Sequence, residues 1–152
     1  MNGAALSLLW KGQLKKREWF YMSDYKIVAE WLRFAQNDLV VAKHCLDDLY
    51  PKQTEIASYH CQQCAEKALK AFLIYKNIDP PKIHDLKVLC KMCQDIDVSF
   101  AKIVSQCAHL TPFGVTARYP AEISPDENMV INAIAKAQQV YDLVITHCPE
   151  PS

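Results

Sequence analysis

Residues 59–72 read YHCQQCAEKALKAF, and the way this stretch winds decides what kind of molecule the chain forms. At about 3.6 residues per turn, Ala57, Cys61, Cys64, Ala65, Ala68, Phe72 and Tyr75 gather on one side. Tyr59, Gln63, Glu66, Lys67 and Lys70 fall around the other. The stretch is therefore an amphipathic helix whose two cysteines lie on the apolar stripe. Thr54 followed by Glu55 supplies an expected cap and a favourable negative charge at its start. The Asp79-Pro80-Pro81 break ends it near Asn77.

Proline marks out the neighbouring helices in the same way. A long helix is expected from Ser23 or Asp24 to Leu49, with Val28, Trp31, Ala35, Leu39, Ala42, Leu46 and Leu49 at spacings of three and four, stopping at Pro51. After His84, the residues Leu86, Leu89, Cys90, Cys93 and Ile96 mark a shorter helix. Phe100, Ile103, Val104 and Cys107 mark another from Val98 to Leu110. Thr111 to Asp126 reads as one extended irregular segment. Beyond it, Val130, Ala133, Ile134, Ala137, Tyr141, Val144 and Ile145 mark a last long helix. Strand signals are weak throughout, so the expected fold is all-α, an up-and-down bundle of four to five helices over residues 23–148. Residues 1–22 fit the scheme poorly and read as an N-terminal extension or accessory helix.

Composition sets limits on function. The 152 residues are 51% hydrophobic and 22% charged, which suits one domain with a real core. Seventeen basic residues balance seventeen acidic ones, so no global positive field draws the chain to DNA or RNA. No stretch approaches the roughly 18 apolar residues of a membrane span. The opening MNGAALSLLW has no basic residue before its apolar run, so no secretory signal is expected. Seven cysteines, most of them inside helical patterns, point to reduced thiols and a cytoplasmic chain.

Two Cys-x-x-Cys pairs, Cys61/Cys64 and Cys90/Cys93, raise a four-thiolate zinc site as one possibility. Both pairs sit at i and i+3 of helical core stripes rather than on tight turns, which favours buried thiols acting as small hydrophobes. Neither pair stands at a helix N-terminus, where a redox thiolate would be stabilised. His60, beside Cys61, reads as a core-edge histidine. No Gly-x-Ser-x-Gly turn and no glycine-rich phosphate loop occurs. Two short segments stand out. Arg118 beside Tyr119 offers an anion clamp next to a stacking ring, although an ion-paired arginine and a core tyrosine fit the same residues. Lys82, His84 and Asp85 mark a helix entry that capping alone would explain.

Taken in order, these pieces resemble a known family. The entry from Trp31 to Leu39, the run Gln63, Glu66, Lys67, Lys70 and Ala71, the His-Asp-Leu at His84 and the Arg-Tyr-Pro at Arg118 are similar to the HEPN domain, the nucleotide-binding domain of higher eukaryotes and prokaryotes. The resemblance covers roughly Tyr25 to His147. It implies a helical bundle, commonly a homodimer, often acting beside a minimal nucleotidyltransferase. On the leading reading Arg118 would hold phosphate, Tyr119 would stack or shape the pocket, and Lys67, Lys70 and His84 would add charge from neighbouring helices. No cofactor, metal or catalytic residue is implied for this chain. Some relatives are metal-independent ribonucleases, toxins of toxin-antitoxin pairs, which place a histidine a few residues after the arginine. Here Arg118 is followed by Tyr119, Pro120, Ala121, Glu122, Ile123, Ser124 and Pro125, without histidine. The resemblance therefore points to a non-catalytic nucleotide-binding or nucleotidyltransferase-partner protein. A ribonuclease using His84 or His109 is the first alternative, and a zinc-stabilised interaction module the second.

Overall fold

A computed structural model of the chain describes residues 3–116 and 124–151, with side chains described from residue 25 onward. The elements are α1 (Gly3–Asp47), α2 (Thr54–Tyr75), α3 (Leu86–Ile96), a 3-10 helix (Val98–Ile103), α4 (Val104–Leu110), α5 (Phe113–Thr116) and α6 (Glu127–His147). Among the described residues there is no strand. No described helix is long and apolar enough to cross a membrane.

The all-α expectation holds, and α2 is the central helix. It packs against α1 over the most extensive interface and also touches α3, α4, α5 and α6. Small side chains permit this: Ala57, Cys61, Cys64, Ala65 and Ala68 of α2 are fully buried, as are Ala35 and Ala42 of α1. Larger groups fill the far end, where Phe72 meets Phe100 with ring centroids 4.4 Å apart.

Turn chemistry fixes where α2 stops and where α3 enters. Asn77 adopts a left-handed φ of 58°. The Asn77 and Ile78 amides then donate back to the Ile74 and Leu73 carbonyls at 2.8 and 2.9 Å, a Schellman closure. Asp85 caps α3 by accepting from the Lys87 amide at 2.8 Å, as the His84-Asp85-Leu86 reading expects. Asp126 caps α6 in the same manner, through the Met129 amide at 2.8 Å.

Several sequence expectations need correction. The first helix does not start at Ser23 or Asp24; its backbone runs unbroken from Gly3. Thr54 is not a cap, because Gln53 holds that position without a side-chain bond and the Thr54 hydroxyl turns to Glu55 instead. Val98 to Leu110 is not one helix but a 3-10 segment followed by α4. Ile96 and Ile145 lie outside the core. The stretch from Thr111 contains the short helix α5, and residues 117–123 fall outside the described part of the chain.

Candidate functional site

The principal polar cluster lies along α2, where Gln62, Glu66 and Lys70 follow one another at i, i+4 and i+8 and so form a line on one face. Hydropathy periodicity assigns Glu66 and Lys70 to the outer face, but the structure buries both, with side chains 7% and 9% exposed. The physical reason is mutual satisfaction. Lys70 Nζ donates to Glu66 Oε1 at 2.8 Å and Gln62 Nε2 donates to Oε2 at 3.1 Å. Gln63 Nε2 reaches the same oxygen at 3.4 Å and Gln62 Oε1 at 2.8 Å. A buried charge is tolerated when it is paired and its lone pairs are used, and here both conditions are met.

His84 closes the cluster from the entry to α3. Its Nδ1 lies 3.0 and 3.1 Å from the two Glu66 oxygens, and its carbonyl accepts from Gln62 Nε2 at 3.0 Å. Burial pushes the Glu66 pKa up, but the donors Lys70, Gln62 and His84 together outweigh it and hold the carboxyl below its ordinary value. The ionised carboxylate can only accept, so the His84 Nδ1 carries the proton and Nε2 is the nitrogen left for solvent or ligand. The imidazole is 63% exposed. The result is an accessible ring held in one tautomer by a buried ion pair.

The segment that leads to Arg118 starts from this cluster. Gly114, in α5, lies so close over Gln62 that a Cβ there would stand 3.1 Å from Gln62 Cδ and 3.3 Å from Nε2. A larger residue there would press on the Gln62 amide, which would have to shift by a few tenths of an ångström; the contact concerns approach and not an unusual φ. Arg118 and Tyr119 themselves lie outside the described residues.

Of the residues expected at the site, Lys70 and His84 meet at Glu66, whereas Lys67 turns elsewhere. Its Nζ pairs with Asp38 of α1, whose other oxygen lies 2.8 Å from His60 Nδ1. His60 is thereby a core-edge residue with a carboxylate partner. Both lysines already share their charge with a carboxylate, so neither is a free cation. Sequence reasoning missed Gln62 and Asp38 and misplaced Glu66. The Gln-x-x-x-Glu-x-x-x-Lys spacing is the signal that could have found the first cluster.

The remaining groups with chemical potential serve packing. All seven cysteines are free and buried. Burial pushes the Cys61 and Cys148 thiols up to about 12 and raises Cys64 and Cys93 as well. Protonated thiols of this kind behave as small apolar groups; Cys93 Sγ donates weakly to the Leu69 carbonyl at 3.7 Å. Among the described residues no group of three or more His, Cys, Asp or Glu side chains is arranged to hold a metal ion. A Ser-His-Asp grouping does occur, with Ser99 Oγ 2.9 Å from His147 Nε2 and donating to Asp97 at 2.6 Å. Its order is not that of a hydrolase, because His147 Nδ1 faces the Leu143 carbonyl and Asp97 caps the 3-10 helix. It fastens the end of α6.

The family model described as HEPN domain matches residues 28–147, most of the chain. The chain belongs to the HEPN family. That family includes nucleotide-binding and ribonuclease-like members. Two solved structures share the HEPN fold seen here. TT1696 from Thermus thermophilus superimposes with a TM-score of 0.69 at 23% identity, covering 79% of this chain and 97% of its own. ST0689, described as an archaeal HEPN homologue, gives 0.63 at 23% identity, covering 80% and 98%. At that identity the likeness bears on the fold alone. No curated protein matches this HEPN chain in sequence.

Proposed function

We propose that this HEPN domain binds a nucleotide or a related phosphate ligand beside His84, where it meets Gln62 and Glu66 in the middle of α2. One observation carries the reading: an exposed imidazole held in one tautomer by the buried Glu66–Lys70 pair, beside the chain that runs on to Arg118 and Tyr119. Arg118 would clamp phosphate, Tyr119 would stack on the base, and His84 Nε2 would meet the ligand's edge. Lys70 acts indirectly, by keeping Glu66 ionised and the ring in place. The test is thermal unfolding against a series of ATP, GTP and other nucleotides, since a ligand selective for the native state stabilises by RT ln(1 + [L]/Kd). A dose-dependent rise that disappears in Arg118→Ala, with helix content unchanged, supports the reading. A flat response across the panel overturns it and leaves the role of nucleotidyltransferase partner, tested by co-purification.

The same anchored ring favours a second reading, a metal-independent ribonuclease with His84 as general base. His109 is the weaker candidate. Its ring packs edge-on against Phe113, centroids 6.0 Å apart, and burial and then Lys136 depress its pKa. RNA cleavage abolished by His84→Ala but not by His109→Ala would carry this reading, and absence of cleavage would end it.

A further inference from the structure

The contact between Asp97, Ser99 and His147 presents more acceptors than a neutral imidazole can serve. Asp97 stands between α3 and the 3-10 helix and accepts from the Ser99 hydroxyl at 2.6 Å and the Ser99 amide at 2.9 Å. These bonds, and then the charges of His147 and Lys76, hold its carboxyl below the ordinary value, so it is ionised and can only accept. Across the ring, His147 Nδ1 lies 2.8 Å from the Leu143 carbonyl, which also only accepts, so Nδ1 carries a proton. The Thr146 hydroxyl, 3.0 Å from Nδ1, spends its own proton on that same carbonyl at 2.7 Å. What remains is Nε2, 2.9 Å from Ser99 Oγ. Ser99 has a single hydroxyl proton, and Asp97 holds it. A bare Nε2 would set lone pair against lone pair, whereas a protonated Nε2 donates to Ser99 Oγ and satisfies every contact in the group.

Two features of the surroundings favour that positive charge and one opposes it. Asp97 Oδ2 lies 3.5 Å from Nε2, and His147 occupies the last turn of α6, where the helix dipole attracts a cation. Against it stands Lys76 of α2, whose Nζ lies over the Phe72 ring, 5.5 Å from its centroid, while Phe72 meets the imidazole edge-on. The adjacent Cys148 thiol, pushed up to about 12 by burial, stays neutral and takes no part. We infer that His147 is an imidazolium in the folded chain and that its second proton latches the end of α6 to the 3-10 helix. As pH rises and this proton leaves, Ser99 can serve Asp97 or His147 but not both, and the latch loosens. A group whose protonated form is favoured by folding contributes most at low pH and loses that contribution as pH rises through its titration. The latch shares no residue with the Gln62–Glu66–His84 cluster and is independent of the nucleotide reading.

The test is urea denaturation of the full-length chain at a series of pH values, wild type against His147→Gln. The remaining histidines are present in both chains, so their titration cancels in the comparison. Between about pH 6 and about pH 8 the advantage of the wild type, expressed as the ratio of the two unfolding constants, should shrink about tenfold, since one proton changes such a constant by up to tenfold per pH unit. Ser99→Thr, which keeps the hydroxyl, should retain the wild-type pH dependence. If His147→Gln fails to fold, nitrogen NMR of the wild-type ring decides. More than half of His147 should carry protons on both nitrogens at about pH 7, where an ordinary histidine is mostly neutral. A bare Nε2 at that pH, or a ratio that does not change with pH or grows as pH rises, overturns the proposal.

Discussion

Two carboxylates hold polar side chains against α2, and they do so in different settings. Glu66 is enclosed with its partner Lys70 and receives further bonds from Gln62 and His84. Asp38, reaching over from α1, is buried too, but its partners His60 and Lys67 stay partly in water. Lys67 and Lys70 are three residues apart on one helix, yet each serves a different carboxylate. The comparison teaches that ion-pair strength here depends on what encloses the partners, since removing one member of a fully enclosed pair strands a charge, whereas water replaces a partner near the surface.

The largest effect is therefore expected at Lys70. Lys70→Ala leaves Glu66 buried without its full cation and should cost about 3 kcal/mol of folding free energy, read by urea denaturation. A loss under about 1 kcal/mol, the range of exposed pairs, would show that the enclosure is not what matters.

The next effect is on acid stability. Glu66 is held below its ordinary 4.5 in the folded chain. A depressed folded value means that its stabilisation is complete above pH about 4.5 and is lost as pH falls through the lower folded value. The stability curve of Glu66→Gln should accordingly fall less steeply below that point than the wild type's. Parallel acid limbs would mean that Glu66 is not depressed.

The smallest effect is expected at Asp38. Asp38→Asn keeps the shape and should cost only about 1 kcal/mol, because water can solvate Lys67 and His60 in place of the carboxylate. A loss equal to that of Lys70→Ala would erase the distinction between the two settings.

Much of the bundle was legible from apolar spacing. Cys61, Cys64, Ala65, Ala68 and Phe72 face the core because burial of an apolar stripe at helical period is a property of each side chain alone. The site was less legible. Glu66 and Lys70 count as surface residues on any hydropathy scale, and what makes their burial favourable is their own pair and the Gln62 bond along α2 together with His84, which arrives from a distant position. Lys67 and Lys70 carry the same charge in neighbouring turns, and nothing local says which carboxylate each will meet. The start of α1 was misread for another reason: Ser23 and Asp24 are good caps, but a cap residue ends nothing when strong helix formers such as Lys15, Lys16, Arg17 and Glu18 precede it. The His84-Asp85 entry was readable because an N-cap is a strictly local device.

The seven buried thiols, finally, turn the chain into its own clock. They sit on α1, α2, α3, α4 and just beyond α6, and none is more than 5% exposed. A thiol reagent has nothing to modify until a helix lifts away. The labelling rate at Cys45, Cys61, Cys93, Cys107 or Cys148 then reports how often that part of the bundle opens, without any added probe.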